Sequence, residues 1–183
     1  MKEKKCIHPR KAHKAMQEFL NTASDLAYYD EDDEVFYKAF IRLHKSDCFQ
    51  ADVADVIGND DAQDIYYNFS ELFAKSSKIY RKFWVEKYPM LKGFSDITIS
   101  LLHELGHLET NDKIRSSFSI EQRENAMEDL DKRNLSYKAL NHLYFMLPDE
   151  KAATEWAVQW LSKGKNRKIA KKFEKKFFAL FEN

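Results

Sequence analysis

SLLHELGHLET, residues 100–110, contains two histidines four positions apart, His103 and His107, with Glu104 directly after the first. On an α-helix, residues four apart lie on one face, so both imidazoles can reach one metal ion. Glu104 lies beside the first histidine, where its carboxylate can take a proton from a water molecule that zinc has made more acidic. The stretch therefore predicts a helix with a zinc site, with His103 and His107 as ligands and Glu104 as the catalytic base.

The residues around the motif favour such a helix. Gly106 costs about 1 kcal/mol relative to alanine in a helix interior, so a glycine there predicts that another segment approaches closely. Ser95 can cap the helix at its N-terminus. Four apolar residues lie on the face opposite the histidines, and we expect that face to be buried: Ile97, Leu101, Leu105 and Leu108. The alternative is a surface helix with two solvated histidines.

A catalytic zinc ion usually has three protein ligands and one open position, so a third ligand must come from elsewhere in the chain. Glu150 is the first candidate, because it shares a helical face with Ala153 and Ala157, whose small side chains would let two helices approach closely. A carboxylate that only stabilises a helix N-terminus is the alternative for Glu150. Other candidates for the third ligand remain open: Glu124, Glu128, His142 and Asp149.

The segments HELGH (103–107) and EKAATEWAVQWL (150–161) together resemble the ImmA/IrrE-type zinc metallopeptidases. The second segment follows the pattern E-x-x-A-x-x-[aromatic]-A-x-x-[bulky]-L. The resemblance covers roughly residues 95–162. It depends mainly on the second segment, since many zincins share the first.

This resemblance implies a zincin-like fold in which His103, His107 and Glu150 bind zinc and Glu104 is the general base. It also implies a cytoplasmic regulator, of a kind often found on mobile elements, that cleaves repressor-like transcription factors. Thr154 stands where the family usually has Asp or Asn, and the stretch between the two segments looks long for the family.

The composition predicts one mainly helical domain over residues 1–183, and the resemblance to zincins implies the small sheet that makes the fold α+β. Hydrophobic residues make up 44% of the chain and aromatic residues 14%, enough for a sizeable core, and four glycines and three prolines favour long helices. A zincin-like domain also has a small β-sheet, and zincins usually lay the substrate against an edge strand. AQDIYYNF (62–69) is our only candidate for that strand.

The apolar spacing predicts helices along most of the chain. An acidic run, DEDDE (30–34), is expected to begin a helix that continues through Phe36, Phe40 and Leu43, because carboxylates suit a helix N-terminus. The other expected helices cover 11–28, 46–58, Phe69 to Trp84, about Ile120 to Leu130, about Ser136 to Met146, 147–161, and a last one containing the basic segment 163–178.

Charge and cysteine content limit the possible partners and location. Lys plus Arg equals Asp plus Glu at 30 each, which predicts no bulk attraction to nucleic acid or membranes. Two cysteines far apart, no secretory signal and no run of about 20 apolar residues favour the cytoplasm.

The predicted function is a zinc-dependent endopeptidase that acts on a protein or peptide substrate, such as a transcriptional repressor. The alternative is a non-catalytic regulatory or toxin–antitoxin-type binding module with a structural or idle zinc site. Three side chains could donate a hydrogen bond to an oxyanion in the site: Tyr137, His142 and Tyr144.

Overall fold

The structure, a computed structural model, describes residues 6–30, 32, 34–46, 50–52, 62–68 and 75–181. The described part is mainly helical with a small amount of sheet, which confirms the α+β class. In chain order its elements are α1 (Pro9–Ala23), β1 (Ala27–Asp30), β2 (Val35–Lys38), β3 (Phe40–Lys45), β4 (Gln50–Asp52), β5 (Ala62–Tyr67), α2 (Lys75–Lys87), a 3-10 turn (Pro89–Gly93), α3 (Asp96–Arg115), α4 (Ile120–Lys132), α5 (Tyr137–Tyr144), α6 (Pro148–Ser162) and α7 (Gly164–Phe178).

In the part of the chain that the structure describes, five short strands form two small sheets. β1 and β2 form an antiparallel pair. In the second sheet β5 lies in the middle, parallel to β3 and antiparallel to β4, so that Ile65 is opposite both Leu43 and Ala51. The expected strand at 62–69 is confirmed over 62–67. It is wrong as a substrate-binding edge, because β5 is paired on both sides, and β4 is the edge strand whose backbone lies next to α3.

The expected helix from the acidic run through Phe36, Phe40 and Leu43 is wrong. Ile41 and Leu43 are buried whereas Phe40, Arg42 and His44 are exposed, an alternation with a period of two that a strand requires. The helical spacing of the three apolar residues is therefore coincidental. Glu34, with a φ of 54°, lies in the turn that leads into β2.

Two other helix predictions need correction in the N-terminal half. The first helix ends at Ala23, so the expected segment 11–28 was too long. The segment expected as a helix at 46–58 contains β4 instead, and residues 47–49 and 53–58 lie outside the described residues. Of the helix expected from Phe69 to Trp84, the part from Lys75 onward is confirmed and 69–74 lie outside the described residues.

The central helix of the fold is α3. Its N-terminus is capped by Ser95, whose side chain accepts a hydrogen bond from the Thr98 N–H, as predicted. The four apolar residues of the predicted buried face, Ile97, Leu101, Leu105 and Leu108, are all buried. His103 and Glu104 are buried as well, so a surface helix with solvated histidines is wrong.

Helix α6 packs directly on α3 at Gly106, as the sequence predicted. A Cβ atom at Gly106 would lie 2.4 Å from the backbone oxygen of Ala153 and 2.9 Å from its Cα. The two helix backbones therefore touch at this point. Because Glu150 lies one turn before Ala153 on α6, this contact also brings the start of α6 to the histidines of α3.

The C-terminal helix α7 buries its apolar side chains and exposes most of its lysines, as expected of an amphipathic helix on the body of the protein. Ala170, Phe173 and Phe177 belong to the core. Within the described residues, every helix is too short or too polar to cross a bilayer.

Candidate metal centre

Three side chains from α3 and α6 converge in the interior. Nε2 of His103 lies 3.0 Å from Oε2 of Glu150 and 3.2 Å from Nε2 of His107, and the third distance, from Nε2 of His107 to Oε2 of Glu150, is 3.6 Å. The side chains of His103, His107 and Glu150 are 5%, 15% and 3% exposed. Within the described part of the chain, this is the only such group of potential metal ligands.

The donor atoms and their spacing fit a zinc ion. Two imidazole nitrogens and a carboxylate oxygen are ligand types that zinc prefers in proteins. Ligand atoms at about 2.0–2.1 Å from a tetrahedral zinc ion lie about 3.3–3.4 Å from one another. The three observed distances fall on both sides of that value.

Thr154 fixes the tautomer of His103. Its hydroxyl donates a hydrogen bond to the backbone oxygen of Glu150 at 2.9 Å, so its oxygen is left to accept from Nδ1–H of His103 at 3.1 Å. A histidine that carries its proton on Nδ1 presents the lone pair of Nε2 to the centre. Thr154 thus supplies the support that an Asp or Asn could give at this position.

Arg123 holds the other side of Glu150, and Tyr144 lies nearby. Nη2 of Arg123 lies 3.4 Å from Oε1 of Glu150, and its Nε donates to Oδ2 of Asp149 at 2.5 Å. Tyr144 lies close enough for the charge of Glu150 to raise the pKa of its hydroxyl. These contacts leave Oε2 of Glu150 facing the two histidines.

The charges in the centre act on one another strongly. Burial alone would raise the pKa of Glu150, but the neighbouring His103 and His107 outweigh it and hold that pKa well below its usual range. Burial would lower the pKa of His107, yet Glu150 outweighs it and raises that pKa. Burial raises the pKa of Tyr144, and Glu150 adds to this, so its hydroxyl is a neutral donor.

Glu104 belongs to the same buried site. It is 9% exposed and directly follows His103 on α3, and its charge contributes to the raised pKa values of both His107 and Tyr144. Aromatic rings close another side, with the ring centroid of Trp84 5.2 Å and that of Phe145 6.4 Å from the centroid of His103. The site thus combines potential metal ligands, a carboxylate and a wall that excludes water.

Most of the other residues considered from the sequence lie apart from this group. Glu124 and Glu128 are exposed on α4, and Glu128 pairs with Lys132 at 3.1 Å. His142 is exposed and packs edge-to-face on Phe83.

Asp149 is buried but bound by Arg123, and Tyr137 is exposed. Of the three oxyanion candidates, the structure brings Tyr144 to the site.

Sequence reasoning missed three residues at the site: Arg123, Trp84 and Phe145. Arg123 stands next to Glu124 in a polar segment, and no spacing rule connects it to residues 149 and 150. Trp84 precedes the motif by 19 residues on a separate helix. Only tertiary packing brings them to the site: Trp84 of α2 contacts His103, and Arg123 of α4 binds the start of α6.

Comparisons of the chain with family models, with curated proteins and with solved structures find no match. The functional argument therefore depends on the motif and on the geometry of the centre.

Proposed function

We propose that this chain is a zinc metallopeptidase, in which His103, His107 and Glu150 hold the ion and Glu104 is the general base. The observation that carries the proposal is the convergence of three suitable donor atoms at 3.0–3.6 Å from one another, with the Glu104 carboxylate in the same buried site. In zinc hydrolases such an ion acts as a Lewis acid and lowers the pKa of water.

The chain's own residues would move the protons. The Glu104 carboxylate takes a proton from the attacking water as its oxygen bonds to the carbonyl carbon. Glu104 then delivers that proton to the leaving amine nitrogen as the C–N bond breaks. The Tyr144 hydroxyl, held neutral by its raised pKa, would donate a hydrogen bond to the developing oxyanion.

We extend the proposal to the kind of protein. The pair of segments at 103–107 and 150–161 supports an ImmA/IrrE-type peptidase with a zincin-like fold and a single domain, acting in the cytoplasm on a regulatory protein such as a repressor. An extended substrate segment would lie along β4, the edge strand next to α3. Unpaired backbone groups at such an edge can bind a further strand.

The replacement Glu104→Gln tests the catalytic role. It keeps the shape of the side chain but removes the proton acceptor, so we expect one zinc per chain by elemental analysis, as in wild type. Cleavage of a peptide library, followed by mass spectrometry of new N-termini, should fall by at least about 10²-fold. Glu124→Gln, on an exposed carboxylate, is the matched control and should leave both unchanged.

The same variants separate the two functional classes. If the chain is a binding module with a structural or idle zinc, neither wild type nor Glu104→Gln should cleave peptides. The two should also have equal biological activity. If Glu104→Gln fully replaces wild type in cells, the peptidase proposal is wrong.

A second experiment tests the third ligand. Glu150→Ala removes the only carboxylate among the three converging residues, so zinc affinity measured by chelator competition should fall by at least about 10²-fold. Glu124→Ala and Glu128→Ala should leave the affinity unchanged, because both side chains are exposed on α4. Equal losses from all three variants would contradict the assignment.

A further inference from the structure

The positive charge of the chain is concentrated on two neighbouring helices, α1 and α7. The chain has no net charge, with 30 lysines and arginines against 30 acidic residues. Helix α7 nevertheless contains seven lysines and arginines and one acidic residue, Glu174, and Lys163 directly precedes it. Helix α1 contains three lysines and arginines and one acidic residue, Glu18. The rest of the chain is therefore net acidic, and the charge of the protein is distributed asymmetrically.

These cations form one exposed surface. Every lysine and arginine within 9–23 and 163–178 is exposed, and we call these side chains together the basic face. Lys176 of α7 pairs with Glu18 of α1 at 2.5 Å, and Lys14 lies one helical turn before Glu18. The lysines of the two helices therefore meet at Glu18.

Most of this positive charge has no carboxylate partner in the described part of the chain. Lys171 pairs with Glu174 at 2.7 Å, and Lys176 pairs with Glu18. Lys168, Lys172 and Lys175 form no ion pair with any residue that the structure describes. The basic face is thus free to attract an anionic partner.

The arrangement of the lysines is unfavourable for α7 itself. Lysines four positions apart lie beside each other and repel, as Lys168 and Lys172 do, and again Lys171 and Lys175. The first turn of α7 contains cations and no acidic residue, although a helix N-terminus favours negative charge. A helix that needed only a soluble outer face would be served better by mixed charges. A bound polyanion would relieve both kinds of repulsion.

The side chains that the basic face lacks limit the kind of polyanion. No large hydrophobic side chain of α1 or α7 is exposed, and the apolar side of α7 is buried in the core. An amphipathic helix that binds a membrane needs a free apolar side. Protein interfaces favour aromatic residues over lysine, and single-stranded nucleic acids stack on aromatic rings. The phosphate backbone of a duplex requires only cations.

We propose that the basic face binds the phosphate backbone of double-stranded DNA without reading its base sequence. The 15 residues of α7 extend over about 22 Å, and a DNA duplex presents one phosphate charge per about 1.7 Å of its axis. Asn166 and Arg167, the side chains of α7 suited to base edges, bond instead to backbone oxygens of α6. Proteins that bind duplex RNA also contact its 2′-hydroxyl groups, for which lysine offers no acceptor.

Fluorescence anisotropy of a labelled DNA duplex of about 20 base pairs tests the proposal. At about 0.1 M salt we expect a dissociation constant of about 10⁻⁴–10⁻⁶ M that does not depend on base sequence. The logarithm of the affinity should fall linearly with the logarithm of the salt concentration. The triple variant Lys168→Gln, Lys172→Gln and Lys175→Gln should bind at least about tenfold more weakly, with a salt slope less steep by about 3.

A second triple variant, Lys113→Gln, Lys132→Gln and Lys138→Gln, is the matched control. It removes the same number of exposed lysines from α3, α4 and α5, so the net charge changes equally, and DNA binding should stay as in wild type. Arginine at 168, 172 and 175 keeps the charge and should keep the salt slope. Equal losses from the two glutamine variants would show that net charge drives binding, and the proposal would be overturned.

Folding and partner class are decided by two further measurements. Removal of repelling lysines from α7 should leave the urea unfolding midpoint unchanged or raise it, so weaker binding does not reflect unfolding. The DNA duplex should bind more tightly than a DNA single strand, an RNA duplex, phosphatidylserine vesicles or poly-glutamate. Tighter binding of any of these four, or no binding of the DNA duplex at about 0.02 M salt, would overturn the proposal. Zinc binding is independent of each outcome, because no residue of the basic face belongs to the candidate metal centre.

Discussion

Thr154 shows how much a single hydroxyl can determine at the residue scale. It donates to the backbone of its own helix and accepts from His103, so one oxygen fixes the tautomer of a candidate metal ligand. The sequence predicted the positions of His103, His107 and Glu150 through helical spacing and small neighbours. It could not predict Arg123, because the residues that this side chain binds lie 26 and 27 positions away.

Replacing Thr154 by valine tests this role. Valine has nearly the same shape but no hydroxyl, so Nδ1–H of His103 loses its acceptor in a buried site. We expect zinc affinity, measured by chelator competition, to fall by about 10- to 100-fold. Thr154→Ser keeps the hydroxyl and should retain most of the affinity. If the valine and serine variants bind zinc equally well, His103 does not depend on this hydrogen bond.

At the scale of elements, close helix packing was easier to predict than the strands. The small residues on the predicted face of α6 and the glycine in α3 indicated that two helices meet, and they do at Gly106 and Ala153. The strands β2 and β3 were mistaken for a helix, because their apolar residues are also spaced four and three apart. A short strand carries too few residues for one period to exclude the other.

Gly106→Ala tests the contact between the helices, and the sign of its effect is informative. On an open helix this change would stabilise the protein by about 1 kcal/mol. Here the new Cβ meets the backbone of Ala153, which cannot swing away. We therefore expect a net loss of about 1–3 kcal/mol in the free energy of unfolding, measured by urea denaturation, together with weaker zinc binding.

Gly164→Ala is the control for this prediction, because a Cβ there meets nothing within 4 Å. It should leave the unfolding midpoint unchanged or raise it slightly. A Gly106→Ala protein as stable as wild type would mean that α3 and α6 can separate without loss.

At the scale of the whole molecule, the last helix completes the N-terminus of the central one. Oε1 of Glu174, on α7, accepts from the backbone N–H of Ser95 at 2.5 Å and from the hydroxyl of Thr98 at 2.9 Å, while Oε2 pairs with Lys171 at 2.7 Å. A carboxylate at this place stabilises the N-terminus of α3. The sequence predicted both helices and the Ser95 cap, but a contact across 79 residues has no local signal.

Glu174→Gln should therefore lower stability in a way that depends on pH. Burial opposes ionisation of Glu174, but the hydrogen bonds from Lys171, Ser95 and Thr98 outweigh it and lower its pKa below the ordinary 4.5. A carboxyl group whose pKa is lower in the folded protein stabilises the fold above its unfolded pKa, and this stabilisation is lost as the pH falls through the folded pKa. The difference in free energy of unfolding between wild type and Glu174→Gln should therefore have its largest value at pH 7 and decrease below about pH 4.5.

Urea denaturation of both proteins at a series of pH values measures that difference, and any contribution of the candidate metal centre cancels because the residues of that centre are the same in both proteins. Glu155→Gln is a suitable control, since this glutamate lies on α6 and its pair with Lys151 is partly exposed. A Glu174→Gln difference that stays constant from pH 7 to pH 3 would show that the charge of Glu174 does not stabilise the start of α3. In that case Ser95 alone would hold the helix that carries His103, Glu104 and His107.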